Sequence, residues 1–303
     1  MVNGADSEAD ERGAKIGLVW GLLATVCFVV MTVFVKLLRE DGLTTNEVMF
    51  WRVAPGLPWV WMELRLRKQS LWPNAPGHTI ARSLYGLGAM ACYFYALRAL
   101  SVIEYTVLTL LQPVLVALLA PAMLGERLRR NAVIAMGVAL AGALVVLRPD
   151  AAGPVRLELL PIVVGILATV FSALAHISVR KATAYDSPER VVFWFMAVVS
   201  ALALVLGLAN GDFVGGLPAG LELGPAVLKI AGAAGFGLAG QLFMTRAYGR
   251  ASAPLVAMMA YASIPASIVV DLFVWGLRPD VAQLAGSTLM IGAGVLLMRG
   301  RNA

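Results

Sequence analysis

From residue 16 to residue 298 the chain is a succession of apolar blocks, each about twenty residues long, joined by short polar segments. This pattern limits the fold more than any other feature. The hydrocarbon core of a bilayer is about 30 Å thick and takes about 20 helical residues to cross. Within it a backbone must satisfy its own hydrogen bonds, which a helix does and a loop does not. Membrane strands would instead read as alternating segments of about 10 residues. A hydropathy window of about 19 residues predicts ten helices, over residues 16–38, 46–64, 80–99, 103–124, 131–147, 159–180, 189–208, 225–248, 253–275 and 281–298. The second holds Arg52 and two prolines in the string RVAPGLPW, so a kink or an unwound turn is expected there. Most joints are three to ten residues long, with longer ones at 65–79 and 209–224, and no separate soluble domain fits between them.

Apolar residues make up 60% of the chain and charged residues 14%, against about 25% charged in a soluble domain. There is too little polar side chain to coat a globule in water. The expectation is an all-α polytopic membrane protein, and a soluble enzyme is excluded. The net charge of +6 then reads as topology rather than as affinity for nucleic acid. Lys and Arg collect at cytoplasmic ends. With the N-terminus inside, sixteen of the 24 fall at cytoplasmic ends and seven at outer ends, Arg52 lying inside the membrane. Both termini are expected in the cytoplasm, with the chain in the cytoplasmic membrane. Residues 1–15, MVNGADSEADERGAK, lack the basic start of a signal peptide and are expected to form an uncleaved cytoplasmic tail. Cys27 and Cys92 lie singly in apolar segments, without metal or CxxC spacing, and read as packing residues.

The chain also repeats itself. GLLATV at 21–26 matches GILATV at 165–170, and the register carries Lys36 onto Arg180. Phe50 and Trp51 align with Phe193 and Trp194, Gly86 and Leu87 with Gly237 and Leu238, and AGALVVLR at 141–148 with GAGVLLMR at 292–299. Two five-helix halves follow, over 16–148 and 159–299. An odd number of spans makes the second half enter the membrane inverted, the build of many secondary transporters. The segment LQPVLVALLAPAMLGERL at 111–128, followed by the Gly-rich VIAMGVALAGALVVL, resembles the EamA-type members of the drug/metabolite transporter superfamily. In that pattern a mid-helix proline precedes a Gly-Glu at the helix end, here Pro113 and Gly125-Glu126. The second half keeps Pro265 but has Gly276-Leu277 in place of Gly-Glu. Within the superfamily the chain is most similar to YddG-type amino-acid exporters. That resemblance implies export of small metabolites, amino acids including aromatic ones, by alternating access.

Ionisable groups inside a bilayer are costly and so are candidates for function. Arg52 and Asp271 are expected at similar depth on helices two and nine, paired either as a gate or substrate counter-charge or as a structural salt bridge. His176, one turn from Arg180, is a candidate for proton coupling, or else a structural hydrogen-bonding group. Gln112 beside Pro113, Gln241, and Tyr261 and Ser263 near Pro265 are candidates for holding substrate, because proline frees backbone polar groups. Tyr85 leads an aromatic set, with Tyr93, Phe94 and Tyr95, of which at most two can line a cavity. For each, interhelical hydrogen bonding is the competing role.

No GxxxxGK[ST] or HExxH string occurs, and no acidic or histidine pair at helical spacing suggests an intramembrane enzyme. No metal and no cofactor is expected. The partners are a small-molecule substrate and the lipid bilayer. A zwitterionic or weakly polar solute such as an amino acid fits these residues, with amphipathic drugs as the alternative cargo.

Overall fold

The computed structural model describes residues 4–96, 108–126, 130–147, 159–213, 223–276 and 278–299, and all regular structure among them is helical. In chain order the helices are α1 (Gly4–Glu40), α2 (Thr45–Val53), α3 (Gly56–Leu66), α4 (Pro76–Ala96), α5 (Gln112–Leu124) and α6 (Arg130–Leu147). There follow α7 (Leu159–Ala182), α8 (Pro188–Ala209), α9 (Leu223–Arg250), α10 (Ala253–Met258), α11 (Ser263–Trp275) and α12 (Val281–Arg299). Five stretches are long and apolar enough to cross a membrane: Gly13–Glu40, Leu159–Ala182, Pro188–Ala209, Leu223–Arg250 and Ala253–Trp275. Gln112–Leu124, Arg130–Val146 and Val281–Leu296 are shorter apolar helices. Arg98, Arg127, Arg129, Arg148, Arg156, Arg301 and Leu277 lie outside the described residues.

Local chemistry sets the helix ends. Thr44 and Glu47 form a capping box at the start of α2: the Glu47 N–H donates to Thr44 Oγ1 at 3.3 Å and the Thr44 N–H to Glu47 Oε2 at 2.8 Å. Helices α5 and α11 end on Gly125 (φ 71°) and Gly276 (φ 66°), both in the left-handed region that glycine enters without a Cβ penalty. Helix α1 begins at Gly4, ahead of the apolar stretch that starts at Gly13.

Three of the expected spans are interrupted. The span at 46–64 is α2 and α3, broken at Ala54–Pro55. The span at 253–275 is α10 and α11 joined by a tight helical turn at Met259–Ala262. Within 103–124, a turn at Leu110–Leu111 precedes α5, and residues 103–107 lie outside the described residues. The cause is shared. A proline ring clashes with the carbonyl four residues earlier, which for Pro55, Pro113 and Pro265 is that of Trp51, Thr109 and Tyr261. Pro121 sits inside α5 without ending it.

The helices pack in a definite pattern: α1 against α9, α4 against α7, α6 against α12, and α2 against α8. Helix α5 packs on α7 and α10, and α1 packs on the 253–275 segment. Small residues let backbones approach, as is common between membrane helices. A Cβ on Gly142 of α6 would lie 2.7 Å from the carbonyl of Gly286 on α12, and Phe28 and Phe34 of α1 fill the notches at Gly240 and Gly232 of α9.

Candidate functional site

The breaks in the proline-bearing segments interrupt regular helical hydrogen bonding, and side chains from the other half of the sequence reach carbonyls there. Thr25 Oγ1 on α1 donates to the Met259 carbonyl at 3.2 Å and to its own Gly21 carbonyl at 3.0 Å. Thr169 Oγ1 on α7 does the same for Leu108 at 3.4 Å and Gly165 at 3.0 Å. These two threonines occupy the same place in the repeated GLLATV and GILATV strings. Tyr261 Oη donates to the Leu110 carbonyl at 2.9 Å, tying one break to the other. The broken segments are thus held in place and frame the space between the helices.

That space is a cavity of about 1030 Å³, bounded by α1, α2 and α8 on one side and by α4 and α7 on the other. Arg39, Asn46 and Asn210 stand at its mouth; Gln112, Thr169 and Ser172 line it deeper in. Among the described residues, two arginines, Arg39 and Arg52, line it, and no carboxylate does. A side chamber of about 50 Å³ shares Met31 and Arg52 with the cavity and adds Phe195 and Gln241. A further chamber of about 140 Å³ lies between α1, α5, α7, α9 and the 253–263 segment, with Thr25, His176, Tyr248 and Ser263 on its wall. Gln112 is common to this chamber and the large cavity. Its Nε2 lies 3.0 Å from His176 Nδ1, which also stands 2.8 Å from the Ser172 carbonyl. A protonated Nδ1 donates to that carbonyl and then needs an acceptor, not a donor, on Gln112; rotating the amide supplies one.

Beyond this chamber the bundle is closed by charged contacts. Arg180 Nε donates to Glu126 Oε1 at 2.7 Å and Arg180 Nη1 to the Tyr248 carbonyl at 2.8 Å. The other Glu126 oxygen accepts the Ala253 N–H at 2.7 Å, at the start of α10. One carboxylate therefore joins α5, α7, α9 and α10. Beside it Arg246 donates to Glu189 at 2.7 Å, and Arg190 to Asp186 at 2.6 Å and to the Ser70 carbonyl at 2.8 Å. At the mouth, Lys229 pairs with Asp41 at 2.6 Å and Asn46 donates to Asp212 at 2.8 Å. Both contacts stay on the α1, α2, α8 and α9 side, and no ion pair among the described residues crosses the mouth.

Of the candidates read from the sequence, Gln112, His176 and Ser263 meet around the inner chamber, and Gln241 meets Arg52 in the side chamber. The expected pairing of Arg52 with Asp271 is not made. Arg52 is on α2, which packs on α8 and α9, whereas Asp271 is on α11, which packs on α1 and α12. Tyr261 is buried, and its hydroxyl is spent on Leu110. Tyr85 stacks on Phe171 with centroids 6.4 Å apart, outside the large cavity, whose α4 wall includes Tyr93 instead. Tyr95 is exposed, and the Phe94 side chain lies outside the description. Cys27 and Cys92 are free and half-buried. Residues missed from sequence are Thr25, Thr169 and Arg82; the first two were visible inside the repeated strings, while Arg82 was counted only as a charge at a helix end.

A fold of paired, proline-broken membrane helices around a polar cavity defines a membrane transport protein. The sequence model of the EamA-like transporter family matches residues 15–148. The pseudopaline exporter CntI of Pseudomonas aeruginosa is 30% identical over 285 residues, covering 94% of this chain and 96% of the exporter. The chain belongs to the EamA-like transporter family. A riboflavin transporter of Brucella anthropi is 23% identical over 263 residues, covering 86% of this chain and 90% of that protein. A crystal structure of similar fold superposes with a TM-score of 0.76 at 21% identity, over 96% of this chain and 99% of its own. These relatives point to transport rather than catalysis.

Proposed function

We propose that this chain exports small metabolites, amino acids and compounds built like them, across the cytoplasmic membrane by alternating access, in the manner of the YddG-type exporters it resembles. The observation that carries the reading is the cavity of about 1030 Å³, open at the Arg39 end and closed beyond Gln112 by the Glu126–Arg180 contacts. A pathway open to one side at a time is what distinguishes a carrier from a pore.

Ten spans in two inverted five-helix halves account for the packing. If α1 corresponds to α7, and α9 to α4, the α1–α9 and α4–α7 pairs are equivalent, and the α2–α8 and α6–α12 pairs lie on the symmetry axis. The matched Thr25 and Thr169 contacts support the same pairing. The Glu126 end carries Arg67, Arg180, Arg246 and Arg250, so the excess of positive charge sets it in the cytoplasm and the mouth outside. Relatives named for exporting or transporting small metabolites support the cargo class. Two arginines and no carboxylate among the described residues of the cavity wall disfavour cationic members of the amphipathic drugs that form the alternative.

The test is transport by the purified protein in liposomes, with labelled amino acids added outside vesicles loaded with the same compound. Saturable exchange that is abolished by an excess of unlabelled cargo is expected. Flux that rises linearly with concentration without saturating, or none over a panel of amino-acid-type metabolites, overturns the reading.

A further inference from the structure

We infer that the cargo is an anion, a metabolite carrying more than one carboxylate, and that Arg52 and Arg82 are the residues that hold it. This rests on the transport reading and narrows its substrate class.

Two guanidinium groups, those of Arg52 and Arg82, have no carboxylate partner among the described residues. Arg52 lines both the large cavity and its side chamber, near enough to Tyr93 to interact electrostatically. Arg82, on α4, is 6% exposed, and its guanidinium carbon stands 4.0 Å over the ring of Phe195. Other ionic groups of this protein are neutralised in pairs: Arg180 by Glu126, Arg190 by Asp186, Arg246 by Glu189 and Lys229 by Asp41. A charge held away from water without a counter-ion costs several kcal/mol or more, so Arg52 on the cavity wall, with Arg82 buried behind that wall at Gly86, calls for an anion from outside the chain.

The backbone makes room for Arg82. Its Nη1 lies 2.6 Å from where a Cβ on Gly86 would stand, and Gly86 is on the cavity wall; any side chain there would push the guanidinium aside. Near Arg52 the fit is looser: its Cγ lies 3.6 Å from the corresponding point on Gly237, an ordinary contact. Gly86 and Gly237 are aligned by the sequence repeat, and so are Arg52 and Phe195. Both guanidiniums come from the first half and stand near the two aligned glycines: Arg52 of α2 beside Gly237 of α9, and Arg82 of α4, laid on the face of Phe195, beside Gly86 of its own helix. A planar guanidinium matches a carboxylate through two parallel hydrogen bonds, and low-dielectric walls of one sign concentrate anions within a cleft.

The experiment is equilibrium binding to the full chain in nanodiscs, comparing labelled glutamate with glutamine, and citrate with its trimethyl ester. Each pair differs in charge while keeping similar size. Wild-type protein is expected to bind the member with more carboxylates about tenfold or more tightly. Arg52→Gln should erase that difference. Arg52→Lys should keep part of it. Equal binding within each pair by wild-type protein overturns the inference without any variant that must fold. So does an acid preference that survives both Arg52→Gln and Arg82→Gln. Exchange of neutral amino acids in liposomes alongside either of those results would leave the transport reading standing, which separates the two failures.

Discussion

The two ends of the helix bundle use related sequence in unequal ways. At the inner end, Arg180 meets the carboxylate of Glu126 and a backbone carbonyl, and that same carboxylate receives the first N–H of α10. At the outer end, the position that the repeat aligns with Arg180 is Lys36, which is exposed and lies 4.0 Å over the ring of Trp275. Hydrogen bonds to charged groups are worth about 1.5–3 kcal/mol each, and an exposed cation–π contact about 0.5–1 kcal/mol. Replacing Gly-Glu by Gly-Leu in the second half therefore takes the stronger latch away from the outer end. The lesson is that a duplicated chain need not give two equal gates. On the alternating-access reading proposed above, divergence at one dipeptide would favour a state closed at the Glu126 end and open at the Lys36 end.

The largest effect should come from removing the inner latch. Glu126→Ala leaves the part-buried Arg180 guanidinium without its partner and α10 without its N-terminal acceptor. A loss of about 2–3 kcal/mol should shift the inner-closed equilibrium by between about 30-fold and 150-fold. The change is read as the rate at which a cysteine at Ala257, on the inner chamber, reacts with a reagent added from the cytoplasmic side. Next come the paired threonines. Thr25→Val and Thr169→Val should each lower stability by about 1 kcal/mol, equally within error, and thermal denaturation in detergent measures it. A large effect of only one would break the equivalence of the two halves.

A smaller change is expected from supplying the missing acid. Leu277→Glu creates Gly-Glu in the second half, and a partly exposed ion pair is worth about 0–1 kcal/mol. Labelling through the mouth should therefore slow by no more than about fivefold. Smallest of all, Lys36→Ala should alter mouth labelling by twofold or less and leave stability unchanged, since its ring contact is solvent-exposed.

Much of this architecture was legible in the sequence because lipid imposes it. Apolar blocks had to be helices, and the prolines in RVAPGLPW marked a real break, as Pro113 and Pro265 marked others. The repeat pointed to corresponding helices, yet the job of its threonines was invisible until the broken carbonyls had positions. The site was less legible. Arg52 and Asp271 were matched by depth along their helices, and depth says nothing about which helices meet; α2 packs on α8 and α9, and α11 on α1 and α12. Tyr261 was read as a ligand because it stands near a proline, when proximity to the break makes it the group that mends it. Arg82 was overlooked because a charge near a helix end in a membrane protein is normally solvated, and only packing reveals that this one is buried against Phe195.

The central claim, one cavity open to one side at a time, is tested most directly by a cysteine at position 172, deep on the cavity wall. With Cys27 and Cys92 replaced by alanine, Ser172→Cys should react with a membrane-impermeant maleimide added outside and be protected from the same reagent added to the cytoplasmic face. Adding Glu126→Ala should make it reactive from the cytoplasmic face and slow its reaction from outside. Reaction from both faces at undiminished rates, or from neither, would contradict alternating access through this cavity.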